Sequence, residues 1–148
     1  MNQTHLEVAQ PPLPPYIMIA LALVGLADAF YLAHASYTGS SISCAIFEGC
    51  DIVARSPYSH AFGVPLSFFG VMFYLCVIGF SVLLAYDPRS RGMRLGAVLL
   101  TLVGLADSIY FEYLQVFVIH AICMYCLISA ITTLLLFAVA VWHFKKTR

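Results

Sequence analysis

Cysteine is the residue type in this chain that is best suited to chemistry. Four of the five cysteines form two pairs: Cys44 with Cys50, and Cys123 with Cys126 in the motif C-M-Y-C. A C-x-x-C disulfide closes almost no loop and so stabilises a fold very little. At a helix N-terminus it is a good redox site, because the helix end favours the thiolate that performs exchange. The pairs therefore predict thiol–disulfide chemistry, with two structural disulfides as the alternative.

The composition predicts that these cysteines belong to a membrane protein. Hydrophobic residues make up 62% of the 148 residues and charged residues 9%, against about 45–50% and about 25% in soluble domains. A small soluble domain has too little interior to bury so much apolar surface. A disordered chain would need the opposite composition. The net charge of zero gives no indication of a nucleic-acid partner.

Four apolar stretches are long enough to cross a membrane, which takes roughly 20 helical residues. The predicted spans are 16–37, 65–86, 95–118 and 122–144. The predicted fold is all-α: one transmembrane domain, residues 1–148, in which four helices form a bundle and residues 38–64 form an outer loop.

The basic residues predict how the bundle is oriented. Of seven Lys and Arg residues, only Arg55 lies in the loop between spans one and two; the others lie between spans two and three or after span four. With four spans, those two regions share one side of the membrane, and an excess of positive charge marks that side as cytoplasmic. We therefore expect both termini in the cytoplasm and both cysteine pairs on the outer face, where disulfides persist.

An internal repeat relates the two halves of the chain. L-V-G-L-A-D-A-F-Y at 23–31 recurs as L-V-G-L-A-D-S-I-Y at 102–110, and the same offset carries Cys44 onto Cys123. A duplicated two-helix unit would deliver one cysteine beyond the outer end of each odd-numbered span. The repeat therefore agrees with the topology.

Oxidation of a dithiol beside a bilayer needs a two-electron acceptor, and a membrane quinone can be that acceptor. A cysteine pair on a loop can exchange with a soluble partner, while a pair at the mouth of the bundle can pass electrons to a ring between helices. Phe62 and Phe69, at the approach to span two, supply aromatic surface near the outer face. They are suited equally to ring binding and to anchoring the helix at the membrane interface.

In its motifs the chain resembles the vitamin K epoxide reductase family, in its bacterial quinone-linked form. The matching motifs occur in order along the chain: C-x5-C at 44–50, Ser56, F-G-V-P at 62–65, G-V-M-F-Y at 70–74 and C-M-Y-C-L-I-S at 123–129. The resemblance implies a four-helix bundle around a quinone of the ubiquinone or menaquinone class, capped by the loop between spans one and two.

The resemblance also implies a role for each cysteine. Cys123 and Cys126 are the active-site pair, with Cys126 facing the quinone, and Cys44 and Cys50 are the shuttle pair. Ser56 is a candidate hydrogen-bond donor to a quinone oxygen. The sequence leaves open which shuttle residue bonds to Cys123, although acidic neighbours on both sides of Cys50 disfavour its thiolate.

The expected partner is a thioredoxin-like protein outside the cytoplasm. Many bacterial relatives carry such a domain after the last helix, and since this chain ends at Arg148, we expect a separate protein. Ala130 and Leu66 replace a Tyr and an Asn of the animal enzymes, which argues against vitamin K epoxide as substrate. The predicted function is oxidation of this partner, with transfer of the electrons to a quinone in the bacterial cytoplasmic membrane, in support of disulfide bond formation.

Two intramembrane acids are candidates for moving protons. Asp28 and Asp107 occupy equivalent positions in the repeat, and because an ionised Asp facing lipid costs a few kcal/mol, both should face the bundle interior. One interpretation is structural: glycines three residues earlier allow spans one and three to approach, and tyrosines three residues later hydrogen-bond the acids. The other is that one Asp stays protonated and relays protons. His120, one turn before Cys123, is a further candidate for this relay.

The alternative function is handling of mercury or copper, because soft thiolates select soft metals. A metal transporter should carry thiols along its path and on both faces of the membrane. Cys76, in the middle of span two, stands alone, and we predict that it is a small buried apolar residue. The cysteine distribution therefore favours the oxidoreductase.

Overall fold

The computed structural model describes residues 12–46 and 48–146, which form five α-helices and a short hairpin. The helices are α1 (Leu13–Thr38), α2 (Cys50–Ala54), α3 (Leu66–Tyr86), α4 (Arg91–Leu114) and α5 (Met124–Lys146). All except α2 are long and apolar enough to cross a membrane, and their bounds lie within about four residues of the predicted spans. The all-α, four-span fold predicted from the sequence is confirmed.

The ends of the helices follow from local sequence. Prolines occupy the first turn of α1, where a missing N–H is tolerated. The same helix ends at Gly39, whose φ of 65° is the left-handed conformation that glycine adopts most readily. At the other end of the chain, Lys145 and Lys146 lie in the last turn of α5, where cations interact favourably with the helix dipole.

The four long helices form a ring in the order α1–α3–α4–α5, so that α1 and α4 lie diagonally across the bundle. The predicted close contact between spans one and three is therefore wrong. The repeated glycines instead face α3: Gly25 lies against the ring of Tyr74, and Gly104 against the ring of Phe73. A Cβ at either position would collide with the aromatic ring, so each glycine makes room for a neighbour in the ring of helices rather than for the opposite helix.

The core is divided between two buried clusters. Met18, Tyr74 and Leu136 belong to the cluster that holds the four helices together. The second cluster lies at one end of the bundle and contains both Cys50 and Cys123. Cys76 is exposed on the outside of α3, where the surface of a spanning helix meets lipid, so the prediction that it is buried is wrong.

The described residues of 39–65 form a cap over the end of the bundle that carries both cysteine pairs. A disulfide joins Cys44 to Cys50, and α2 begins at the second of these cysteines. A 3-10 turn, Pro57–Ser59, leads into the hairpin of β1 (His60–Ala61) and β2 (Val64–Pro65). The cap therefore returns the chain directly to the first turn of α3.

Candidate functional site

A cavity of about 140 Å³, open on one side, lies beneath the cap. Its apolar wall includes Leu32, Ile42, Val53, Leu66 and Phe111. Its polar wall includes Asp28, Ser59, Ser67, Asp107, Ser108, Glu112 and Ser129, together with Cys123 and Cys126. The cavity thus joins the C-x-x-C pair to a largely apolar space between helices.

Cys123 caps the N-terminus of α5. Its carbonyl accepts the Leu127 N–H at 3.1 Å, and its Sγ accepts the Cys126 N–H at 3.5 Å. This is the pattern of an N-cap residue, with sulfur in the place of the usual oxygen. A hydrogen bond from the Cys126 thiol lowers the pKa of the Cys123 thiol, against the opposing effect of burial. Both thiols are free in this structure. Because its pKa is lowered, Cys123 is the better nucleophile when the pair is reduced.

The Cys44–Cys50 pair lies against this turn. Cys50 and Cys123 are both buried, in the same cluster, whereas Cys44 is only partly buried. Gly49 explains how the cap comes so close: a Cβ there would lie 2.5 Å from the carbonyl oxygen of Ile122 and 2.7 Å from its nitrogen. The residue before Cys50 thus contacts the backbone of the residue before Cys123.

Gln115 is a site residue that sequence reasoning missed. It is fully buried, and its Oε1 accepts the Cys123 N–H at 2.8 Å. It begins a turn of π-helix, Gln115–Ile119, which ends at His120 with φ 55°. π-helical turns are rare and are found frequently at functional sites. No sequence signal marks this one, because the bond depends on the path of the chain over eight residues.

Asp28 and Asp107, which were expected to face the bundle interior, both line the cavity. One carboxyl oxygen of Asp28 is buried without a hydrogen-bond partner among the described residues. The hydroxyl of Ser67, which also lines the cavity, is buried without a partner in the same way. Asp107 lines the opposite side on α4 and is more exposed. The predicted hydrogen bonds from the repeated tyrosines are not found in the described part of the chain: Tyr31 stacks on Tyr125 with ring centroids 5.0 Å apart, and Tyr110 is exposed.

The other residues predicted to contact a quinone or move protons do not line the cavity. The Ser56 hydroxyl donates to the Val53 carbonyl at 2.8 Å, which closes the end of α2. Phe62 is fully exposed at the tip of the hairpin, and Phe69 is exposed on α3. His120 is exposed as well. Their proposed roles stay predictions. The hydroxyl-bearing residues of this region that do line the cavity are Ser59 and Ser67.

The floor of the cavity is held by a buried tyrosine. The Tyr74 hydroxyl lies 2.7 Å from the Ser129 hydroxyl and 3.3 Å from that of Thr133. These contacts join α3 to α5 one turn below the C-x-x-C pair and fix the helix that carries it.

A model of the vitamin K epoxide reductase family matches residues 16–141, which include both cysteine pairs. The chain belongs to the vitamin K epoxide reductase family. It is also similar to the thiol-disulfide oxidoreductase LTO1 of Arabidopsis thaliana, with 33% identity over 125 residues. That match covers 80% of this chain and 33% of LTO1, so the chain spans about a third of its relative's length. Family membership and the relative's name support a thiol redox role.

Membership of the vitamin K epoxide reductase family bears on the metal-handling alternative. Within residues 12–46 and 48–146, no group of three or more His, Cys, Asp or Glu side chains is arranged to hold a metal ion. Family membership and the relative's name support thiol redox chemistry and not metal handling.

Proposed function

We propose that this protein oxidises a thioredoxin-like partner at the outer face of a membrane and passes the electrons to a quinone. The observation that carries the proposal is the packing of Gly49 on Ile122, which brings the loop disulfide and the C-x-x-C pair into one buried cluster above the cavity. Two cysteine pairs on separate elements have no structural need to meet in this way.

In the first exchange, a partner thiolate attacks Cys44, whose sulfur is the less buried of the pair. A mixed disulfide forms and the Cys44–Cys50 bond breaks, which releases Cys50 as a thiolate. The partner's second thiol then resolves the mixed disulfide and leaves as the oxidised protein, and Cys44 is left as a thiol. Two electrons and two protons have then left the partner.

In the second exchange, Cys50 attacks Cys123 of the oxidised active-site pair and releases the Cys126 thiolate. Burial of Cys50 and Cys123 in one cluster supports this choice over Cys44. Attack of Cys44 on Cys50 then re-forms the loop disulfide and leaves Cys123 and Cys126 reduced.

The cavity residues fit a quinone. Ser67 and Asp28 line the cavity, and each has a buried polar atom without a hydrogen-bond partner among the described residues. A quinone ring has two carbonyl oxygens that accept hydrogen bonds. A bound quinone would accept two electrons and two protons. Cys126 lines the cavity and would face this ring, while Leu32 and Phe111 exclude water from it.

The protons must reach the cavity from the outer face, where the partner releases them. Asp28 lies within α1 with a buried oxygen that has no partner in the described residues, and it shares the cavity with Cys126. An unpaired charge is costly in such a place, so the acid is suited to hold a proton and give it up at the cavity. Asp107 and Glu112, on the opposite wall, extend the route.

The protein would act in the bacterial cytoplasmic membrane, with both termini inside and the cap outside, and would support disulfide formation in the outer compartment. The positive charges near the ends of α3, α4 and α5 support this orientation.

The proposal can be tested with purified protein, a reduced thioredoxin-like protein and a short-chain quinone. Quinone absorbance should fall with time, and Cys126→Ala should abolish the reaction. Cys76→Ala is the matched control, because this thiol lies on the outside of α3, and it should leave turnover unchanged. Stoichiometric bound metal without quinone reduction would contradict the proposal and favour metal handling.

A further inference from the structure

The two exchange steps require Cys123 to bond with two different sulfurs in turn. Cys126 lies one turn further along α5, and Cys50 lies on the cap. If the backbone at Cys123 moved between these states, the cap and the helix would have to repack at each turnover. A fixed backbone with a rotating side chain avoids this.

The backbone N–H of an N-cap residue has no hydrogen-bond partner within its own helix, so the helix does not fix that part of the backbone. In this protein Gln115 binds that N–H through Oε1, at 2.8 Å. Its backbone carbonyl also accepts the Ala121 N–H at 3.1 Å. One residue at the end of α4 therefore holds two points of the segment that leads to the C-x-x-C pair.

We propose that Gln115 is a positioning residue for thiol exchange: it fixes the Cys123 backbone, so that the sulfur alternates between Cys50 and Cys126 by side-chain rotation alone. This inference rests on the proposed function. The fully buried amide makes the bond strong, since few competing donors reach it and the local dielectric is low.

Glu112 explains why the amide oxygen, and not the nitrogen, faces Cys123. This acid lies one turn earlier on α4 and interacts with the Gln115 side chain, whose Nε2 has no hydrogen bond of good geometry in the described residues. A carboxyl oxygen attracts the N–H₂ end of an amide and repels the C=O end. The acceptor end is thereby directed at the Cys123 N–H.

Hydrogen exchange of the full-length chain in detergent tests this clamp directly. The Cys123 amide should exchange slowly both with the C-x-x-C pair reduced and after its oxidation by a small disulfide, and Gln115→Met should remove the protection. Exchange of the wild-type Cys123 amide as fast as that of exposed cap amides, in either redox state, would overturn the proposal even if the variant did not fold.

Alkylation of Cys123, read by peptide mapping against pH, separates positioning from general stability. The titratable groups near Cys123 are Tyr125 and Cys126 on α5, Asp28 on α1 and Glu112 on α4, and Gln115→Met retains all four of these side chains. Loss of the clamp should displace the sulfur from its hydrogen bonds and slow alkylation at neutral pH by roughly tenfold, the effect of one pKa unit.

Thr101→Val is the matched control, because it deletes another fully buried polar contact of α4, from Oγ1 to the Ala97 carbonyl at 2.8 Å. It should lower the melting temperature without changing the Cys123 profile. An unchanged profile in Gln115→Met, or an equal change in Thr101→Val, would overturn the positioning role. Neither readout uses a quinone or a protein partner, so failure of wild-type quinone reduction would count against the proposed function separately.

Discussion

Gly49 lies against the backbone of Ile122, and each of these residues immediately precedes a cysteine of a different pair. The contact sets how closely the cap approaches the C-x-x-C turn. It involves backbone atoms on the Ile122 side, which cannot move aside as a flexible side chain can. The distance between the two redox pairs therefore depends on the absence of a single Cβ.

Gly49→Ala should lower quinone reduction by about tenfold or more, because overpacking of about 1–3 kcal/mol would fall on the approach of Cys50 to Cys123. Gly79→Ala is the matched control: a Cβ there meets no other atom within 4 Å, so this variant should retain wild-type activity and melt at the same temperature or slightly above. Equal rates for both variants would show that the contact does not limit exchange.

The two shuttle cysteines should behave differently in trapping experiments. Cys44→Ser leaves Cys50 without its partner next to Cys123, so a Cys50–Cys123 disulfide should accumulate and appear in a non-reducing peptide map. Cys50→Ser should give far less of the Cys44–Cys123 species, because Cys44 is the more exposed sulfur. The reverse pattern would exchange their roles, and a loop disulfide that ignores the partner's redox state would contradict the shuttle.

The reactivity of reduced Cys123 should persist below the pH range of an ordinary thiol. Its lowered pKa places the midpoint of its alkylation rate below that of a cysteine in the unfolded chain. The linked contribution to the stability of the reduced protein is fully present above that unfolded value and is lost as pH falls through the folded pKa. Cys126→Ala removes the hydrogen bond and should move the midpoint upward; a midpoint unchanged in this variant would contradict the assigned cause.

Asp28→Asn should slow quinol formation between pH 6 and 8 more than Asp107→Asn, because Asp28 has the buried, unpartnered oxygen. Asn preserves shape and hydrogen bonding but cannot relay a proton. The melting temperature of each variant checks its fold, and stopped-flow measurement of quinone absorbance gives the rate. Wild-type turnover in the double Asn variant would exclude the relay.

Turnover should also depend on a protein thiol donor. A thioredoxin-like protein can dock on the cap and hold its thiolate against Cys44, the less buried residue of the pair, whereas a small dithiol makes no such docking contacts. Quinone reduction should therefore be slow with a small dithiol and fast with the protein. Equal rates with both donors would count against a shuttle role for the cap.

The sequence predicted those features that local pattern determines. The spans follow from hydropathy, and the cysteine pairs from spacing and topology. The expectation that Asp28 and Asp107 face the bundle interior follows from the cost of placing a charge in lipid. It did not predict the rotation of the helices, because a spanning helix is apolar toward both lipid and core and has little amphipathic signal. For that reason Cys76 was placed inside and Gly25 was assigned to the wrong neighbour. Gln115 was missed because its bond depends on a π-helical turn.

The aromatic residues that fill the two glycine gaps, Phe73 and Tyr74, are consecutive on α3. Successive helical residues point about 100° apart, so the pair reaches α1 and α4 at once and leaves α3 a single rotational setting. Cys76, two residues after Tyr74, then points about 200° away from it, toward lipid. The fifth thiol is thereby kept apart from the other four, so it cannot form a mispaired disulfide with them within the bundle.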